Sequence, residues 1–149
     1  ASLILAQANA MGYDPKFFGC DGLDGILGVE NFDASLAEDV MLLTPFAADA
    51  QDDATKNFVS AYEAAYGETP NQFAADAYDA VYIVKAAIEK SGATPADGVS
   101  GICDKLKTAM TEITYDGLTG SGMSWSSDGT VNKAPKAMEI KNGEYSLIQ

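Results

Sequence analysis

The chain has no histidine, no arginine and only two cysteines, and no run of apolar residues is long enough to cross a bilayer. Without histidine, zinc sites of the usual kind, Ser-His-Asp triads and Cys-His nucleophiles cannot be assembled, which removes most hydrolase mechanisms. Positive charge is scarce: nine lysines stand against 22 acidic residues, for a formal net charge of −13. A carboxylate excess of that size repels phosphate backbones and excludes nucleic-acid binding. Cys20 and Cys103 lie far apart, in segments read as a strand end and a helix face, and neither has a basic neighbour that would favour a thiolate. Two buried, reduced thiols are expected rather than a disulfide. Phosphate-loop and metal-loop spacings and internal repeats are also missing, so neither metal nor cofactor is expected.

What is there suits a folded domain. The 149 residues are 47% hydrophobic, enough for a real core. The N-terminus, Ala1-Ser2-Leu3-Ile4-Leu5, lacks a basic flank and a cleavage pattern, so a mature or truncated segment is expected, with the natural chain continuing before Ala1.

Taken in order, Ser2 to Met11 reads as a helix stopped by Gly12, and Phe17-Phe18 as a strand. Gly25 to Phe32 offers a short apolar turn or helix, and Val40 to Leu43 a strand buried on both faces, ended by Thr44-Pro45. Asp52 and Asp53 open a helix that runs to Tyr66 and stops at Gly67. The longest periodic segment is Gln72 to Ser91, whose stripe Phe73, Ala77, Val81, Val84 and Ile88 is expected to be core, with Tyr78 and Tyr82 packed beside it. Val99 to Thr111 follows as a helix with Ile102, Cys103, Leu106 and Met110 inward, and the Gly117–Trp125 region is expected to supply a strand. Alternating runs around Asn142-Gly143 predict a terminal hairpin.

The stretch Phe17-Phe18-Gly19-Cys20-Asp21-Gly22-Leu23-Asp24-Gly25 is the candidate site. An apolar run stops at a glycine and is followed at once by carboxylates, which at the carboxyl end of a strand in an open α/β sheet meet a ligand cation such as an amino group. A second reading stands beside it: Asp21 or Asp24 is a turn residue capping the next short helix.

The Phe-Phe-Gly-Cys-Asp-Gly run resembles the strand, glycine and acidic residue found in the periplasmic binding proteins for branched-chain amino acids, the extracellular ligand-binding receptor family. The run Asn71-Gln72-Phe73-Ala74-Ala75-Asp76-Ala77-Tyr78-Asp79-Ala80-Val81, with Ala86 to Gly92 after it, is similar to the same family. The resemblance covers essentially the whole chain and implies an α/β, type I periplasmic binding protein-like fold, present in part. It implies that residues 1–44 belong to the C-terminal lobe, 46–134 to the N-terminal lobe and 135–149 to strands returning to the first, with Pro45 and Pro135 marking crossings. Asp21 would anchor the ligand's ammonium group, with Gly19, Cys20 and Gly22 as neighbouring loop residues, although Asp21 is one methylene shorter than the family's Glu.

The function so implied is the substrate-binding component of an ABC importer for amino acids, non-catalytic, periplasmic or extracellular, membrane-anchored in the full-length protein and docking on a membrane permease. The alternative is a sensory receptor domain of the same fold. An enzyme using Asp21 and Asp24 as a carboxylate pair is set aside, because nothing else in the sequence resembles a sugar site. The apolar surface left open by a missing N-terminal half is expected to drive a homodimer or an exchanged packing.

Overall fold

A computed structural model describes residues 1–148; residue 149, the last of the predicted return segment, lies outside it. The chain divides into two compact units, Ala1–Gln72 with Pro135–Gln149, and Phe73–Ala134.

The first unit is built on a four-stranded sheet in the order β1-β2-β3-β4. Helix α1 (Ser2–Ala10) ends where Gly12 takes φ 65°, as the sequence predicts, and leads to β1 (Phe18–Gly19). Strand β2 (Met41–Thr44) pairs in parallel with β1, Phe18 opposite Met41. On its other side β3 (Lys136–Lys141) runs antiparallel, and β4 (Glu144–Leu147) completes the hairpin. Asn142 and Gly143 both adopt left-handed conformations, φ 54° and 76°, which is what a two-residue turn matched to strand twist requires.

Burial on β2 alternates, with Leu42 and Thr44 buried and Met41 and Leu43 half-buried, so the expected burial on both faces is only partly reached. One core cluster gathers Leu5, Ile26, Ala37, Val40 and Ile140; a second gathers Leu42, Ala47 and Met138, with Ala50 and Tyr145 against it. Helix α2 (Asp53–Tyr66) starts on Asp52, whose carboxylate accepts from Thr55 N–H at 2.8 Å, and stops at Gly67 with φ 75°. Phe46, Phe58, Tyr62 and Tyr66 form a ladder of ring contacts along it. By compactness α2 goes with the sheet, in the unit that ends at Gln72.

The second unit carries α3 (Gln72–Ser91) beyond its first residue, and α4 (Gly98–Met110). The bounds of α3 match the sequence reading, but its predicted core stripe is wrong: Phe73, Ala77, Val81, Val84 and Ile88 are exposed, and Ala75, Asp79 and Ala87 are the buried positions. The cause is the loop that covers the other face. Asp79, 2% exposed, accepts from Leu118 N–H at 3.0 Å, Thr119 N–H at 2.9 Å and the Thr119 hydroxyl at 2.7 Å, and Gly117, where a Cβ would lie 2.5 Å from Asp79 Oδ2, lets the loop approach. The expected strand in 117–125 is absent among the described residues. That region holds only single bridges, Tyr115 to Met123 and Trp125 to Val131, because Asp79 and the turn from Gly117 N–H to Gly120 carbonyl take its backbone groups. Tyr78 and Tyr82 do pack on each other, ring centroids 4.9 Å apart, but both are partly exposed.

Both thiols are free and exposed, which corrects the expectation that they are buried. Cys103 lies on the solvent side of α4, where Ala109 is the buried residue, and Cys20 lies in the loop after β1.

Candidate functional site

The site loop begins where β1 leaves the sheet. At Gly19 the backbone passes so close to the Leu23 side chain that an added Cβ would lie 2.2 Å from its Cδ1, so a side chain there would push Leu23 out of its present position. Residues Asp21–Leu23 form one 3-10 turn, closed by Leu23 N–H to the Cys20 carbonyl at 3.0 Å and Asp24 N–H to the Asp21 carbonyl at 2.9 Å. Asp21 is exposed, and its Oδ1 accepts from the adjacent Gly22 N–H at 3.0 Å. No lysine forms an ion pair with it among the described residues. Cys20 and Gly22 are exposed beside it, and Gly19 is half-buried.

Asp24 has a different part. It is half-buried, and its Oδ2 accepts from Gln72 N–H at 2.7 Å while Oδ1 accepts from Gly25 N–H at 2.9 Å. It therefore satisfies one of the orphan donors at the start of α3. Burial pushes its pKa up, against the two backbone donors that pull it down. The reading of a loop carboxylate as a cap holds for Asp24, but the helix capped is α3, far along the chain, and not the next short turn.

Gln72 ties the loop to the sheet. Its Nε2 donates to the Asp21 carbonyl at 2.6 Å, and its Oε1 lies 3.0 Å from the Thr44 hydroxyl at the end of β2. That hydroxyl has one proton, for which the Phe46 carbonyl at 3.1 Å competes. Neither Gln72 nor Thr44 was singled out as a site residue from the sequence. The available signal was a polar side chain at the first position of a long helix, directly after Pro70-Asn71.

The same unit holds a cavity of about 640 Å³ lined by Asp24, Thr44, Tyr62, Met138 and Tyr145 among others. Asp21, Gly19, Cys20 and Gly22 do not line it. The Tyr145 hydroxyl lies 3.5 Å from Leu27 N–H, and burial raises its pKa. The described residues contain no group of three or more Cys, Asp or Glu arranged to hold a metal ion, and no helix among them is long and apolar enough to cross a membrane.

A family model described as periplasmic binding protein matches residues 1–144. No curated protein matches the chain significantly. Similar solved structures include the substrate-binding protein of the branched-chain amino acid transporter of Streptococcus pneumoniae in complex with isoleucine, at 27% identity and TM-score 0.77, over 99% of this chain and 41% of that one. A leucine-binding protein of Thermotoga maritima shares 23% identity at TM-score 0.75, over 99% and 40%. A solute-binding protein of an ABC transporter of R. palustris, in complex with benzoate, shares 17% at TM-score 0.78, over 99% and 39%. The chain thus spans about 40% of the length of the structures it matches.

Proposed function

The chain belongs to the periplasmic binding protein family, and on that premise we propose that it is part of the substrate-binding component of an ABC importer for an amino acid, branched-chain or related. Its mixed α/β architecture is part of the type I fold of that family, whose relatives bind solutes rather than turn them over. Asp21 is the anchor for the ligand's ammonium group, and the backbone of Gly19, Cys20 and Gly22 shapes the loop around it. The observation that carries this reading is an exposed carboxylate at the carboxyl end of a parallel strand, with no lysine among the described residues paired to it.

Residues 1–44 and 135–149 are assigned to one lobe of such a protein and 46–134 to the other, with Pro45 and Pro135 at the crossings. The complete protein works in the periplasm or outside the cell, held at the membrane, and delivers its ligand to a membrane permease. The N-terminal lobe's contacts to the ligand's carboxylate come from the part of the fold that this chain does not span.

Titration calorimetry of the complete protein against the aliphatic amino acids and benzoate tests the ligand class. One-to-one binding of an amino acid is expected. Binding of benzoate with no amino acid binding would overturn the ammonium-anchor reading, since benzoate has no cation for Asp21 to meet.

A further inference from the structure

We propose that Gln72 is the positioning residue of the ligand loop, holding the Asp21 turn at its place beside the end of β2; the inference rests on the reading of Asp21 as the ligand anchor. Gln72 is 1% exposed, and its backbone N–H, its Nε2 and its Oε1 are each engaged toward the loop or the sheet. Its backbone N–H donates to Asp24 Oδ2, its Nε2 to the Asp21 carbonyl, and its Oε1 faces the Thr44 hydroxyl. A carboxamide offers a donor and an acceptor at a fixed separation, so it can join the Asp21 carbonyl, an acceptor, to a hydroxyl at the end of the neighbouring strand. No residue with a donor alone or an acceptor alone can do both.

The consequence for the site lies in how Asp21 itself is held. Among the described residues its carboxylate bonds only the adjacent Gly22 N–H, so the position of the charge follows the backbone of the turn. That backbone is fixed at two points by α3's first residue: through the carbonyl of Asp21 and the side chain of Asp24, which bracket the turn. A loop held in this way meets a ligand without an ordering cost at binding, so loosening it should appear mainly as faster release.

The test uses the complete protein with Gln72→Met, which keeps length but removes donor and acceptor, Gln72→Glu, which as a carboxylate keeps the acceptor for Thr44 and loses the donor to Asp21, and Thr44→Val. Two quantities are read: amide hydrogen exchange at Leu23 and Asp24, and the dissociation rate of L-isoleucine. Both Gln72 variants are expected to speed exchange at Leu23 and Asp24 and release of L-isoleucine by roughly tenfold, with the β2–β3 amides unchanged and Thr44→Val showing a smaller effect. Unchanged loop exchange, or protection lost equally across β2 and β3, would overturn the proposal. Should Gln72→Met fail to fold, Gln72→Glu carries the same test. If the parent protein binds none of the aliphatic amino acids, the ligand reading falls on its own, and the exchange data still decide the role of Gln72; if it binds another of them than L-isoleucine, that one serves for the release rate.

Discussion

The carboxylate of Asp24 accepts the backbone N–H of Gln72 at 2.7 Å, so a residue in the loop after β1 caps a helix that begins 48 positions later. Two carboxylates three residues apart thereby take separate tasks. Asp24 is committed to two backbone amides, while Asp21 keeps its charge at the surface.

Asp24→Ala should remove that cap and cost about 1–2 kcal/mol of stability, measured by denaturant unfolding of the complete protein. Asp24→Asn, which keeps an acceptor for Gln72, should cost less. The pH dependence has a definite sign. The folded-state pKa of Asp24 is raised above its usual 3.8, so the native state holds this proton more tightly than the unfolded chain. Its contribution to stability therefore falls as pH rises from about 3.8 to the raised value, and Asp24→Asn should flatten that part of the profile.

In the second unit, Gly117 has no room for a side chain, because a Cβ there would lie 2.5 Å from Asp79 Oδ2. Gly117→Ala should destabilise by roughly 1–3 kcal/mol. Asp79→Ala should also destabilise, since Leu118 and Thr119 N–H groups lose their acceptor. The double variant should cost less than the sum, as measured in a denaturation cycle; strict additivity would mean the two sites do not meet.

The hairpin gives a smaller effect. Asn142→Val places a β-branched residue at φ 54° and should cost about 1–2 kcal/mol, whereas Asn142→Gly should be close to neutral. Equal stability of the two variants would show that the turn relaxes to another conformation.

The exposed stripe Phe73, Val81, Val84 and Ile88 makes a prediction about the 149-residue chain by itself. Sedimentation velocity should show self-association, reduced by Val81→Asp together with Ile88→Asp. A monomer at high concentration, unaffected by those changes, would contradict it.

These contrasts show which features the sequence makes legible. The Asn142-Gly143 turn, the stops at Gly12 and Gly67 and the limits of α3 are local, and each is written in residues that sit next to one another. The buried face of α3 is not, since periodicity marks an apolar stripe without saying whether its partner lies within the chain; the face that packs here is chosen by the bonds from Asp79 to a loop 39 and 40 residues away. The same holds at the site. The strand end, the glycines and the exposed Asp21 follow from the run Phe17 to Gly25, but Gln72 and Thr44 enter through bonds spanning 51 and 28 residues, which no local pattern announces. The thiols were misjudged because cysteine's general preference for the interior says nothing about one loop or one helix face.

The central claim is that Asp21 holds the ammonium group of an amino-acid ligand, and calorimetry on the complete protein tests it most directly. Hydrogen bonds to charged groups contribute a few kcal/mol at most, and an exposed carboxylate less, so on that claim Asp21 would supply part of the affinity and the enclosing lobe the rest. The 149-residue chain alone should accordingly bind amino acids very weakly. In the complete protein, Asp21→Ala should lose at least about tenfold in affinity for the amino acid that the parent binds. Undiminished affinity in Asp21→Ala would contradict the account and remove Asp21 from the site.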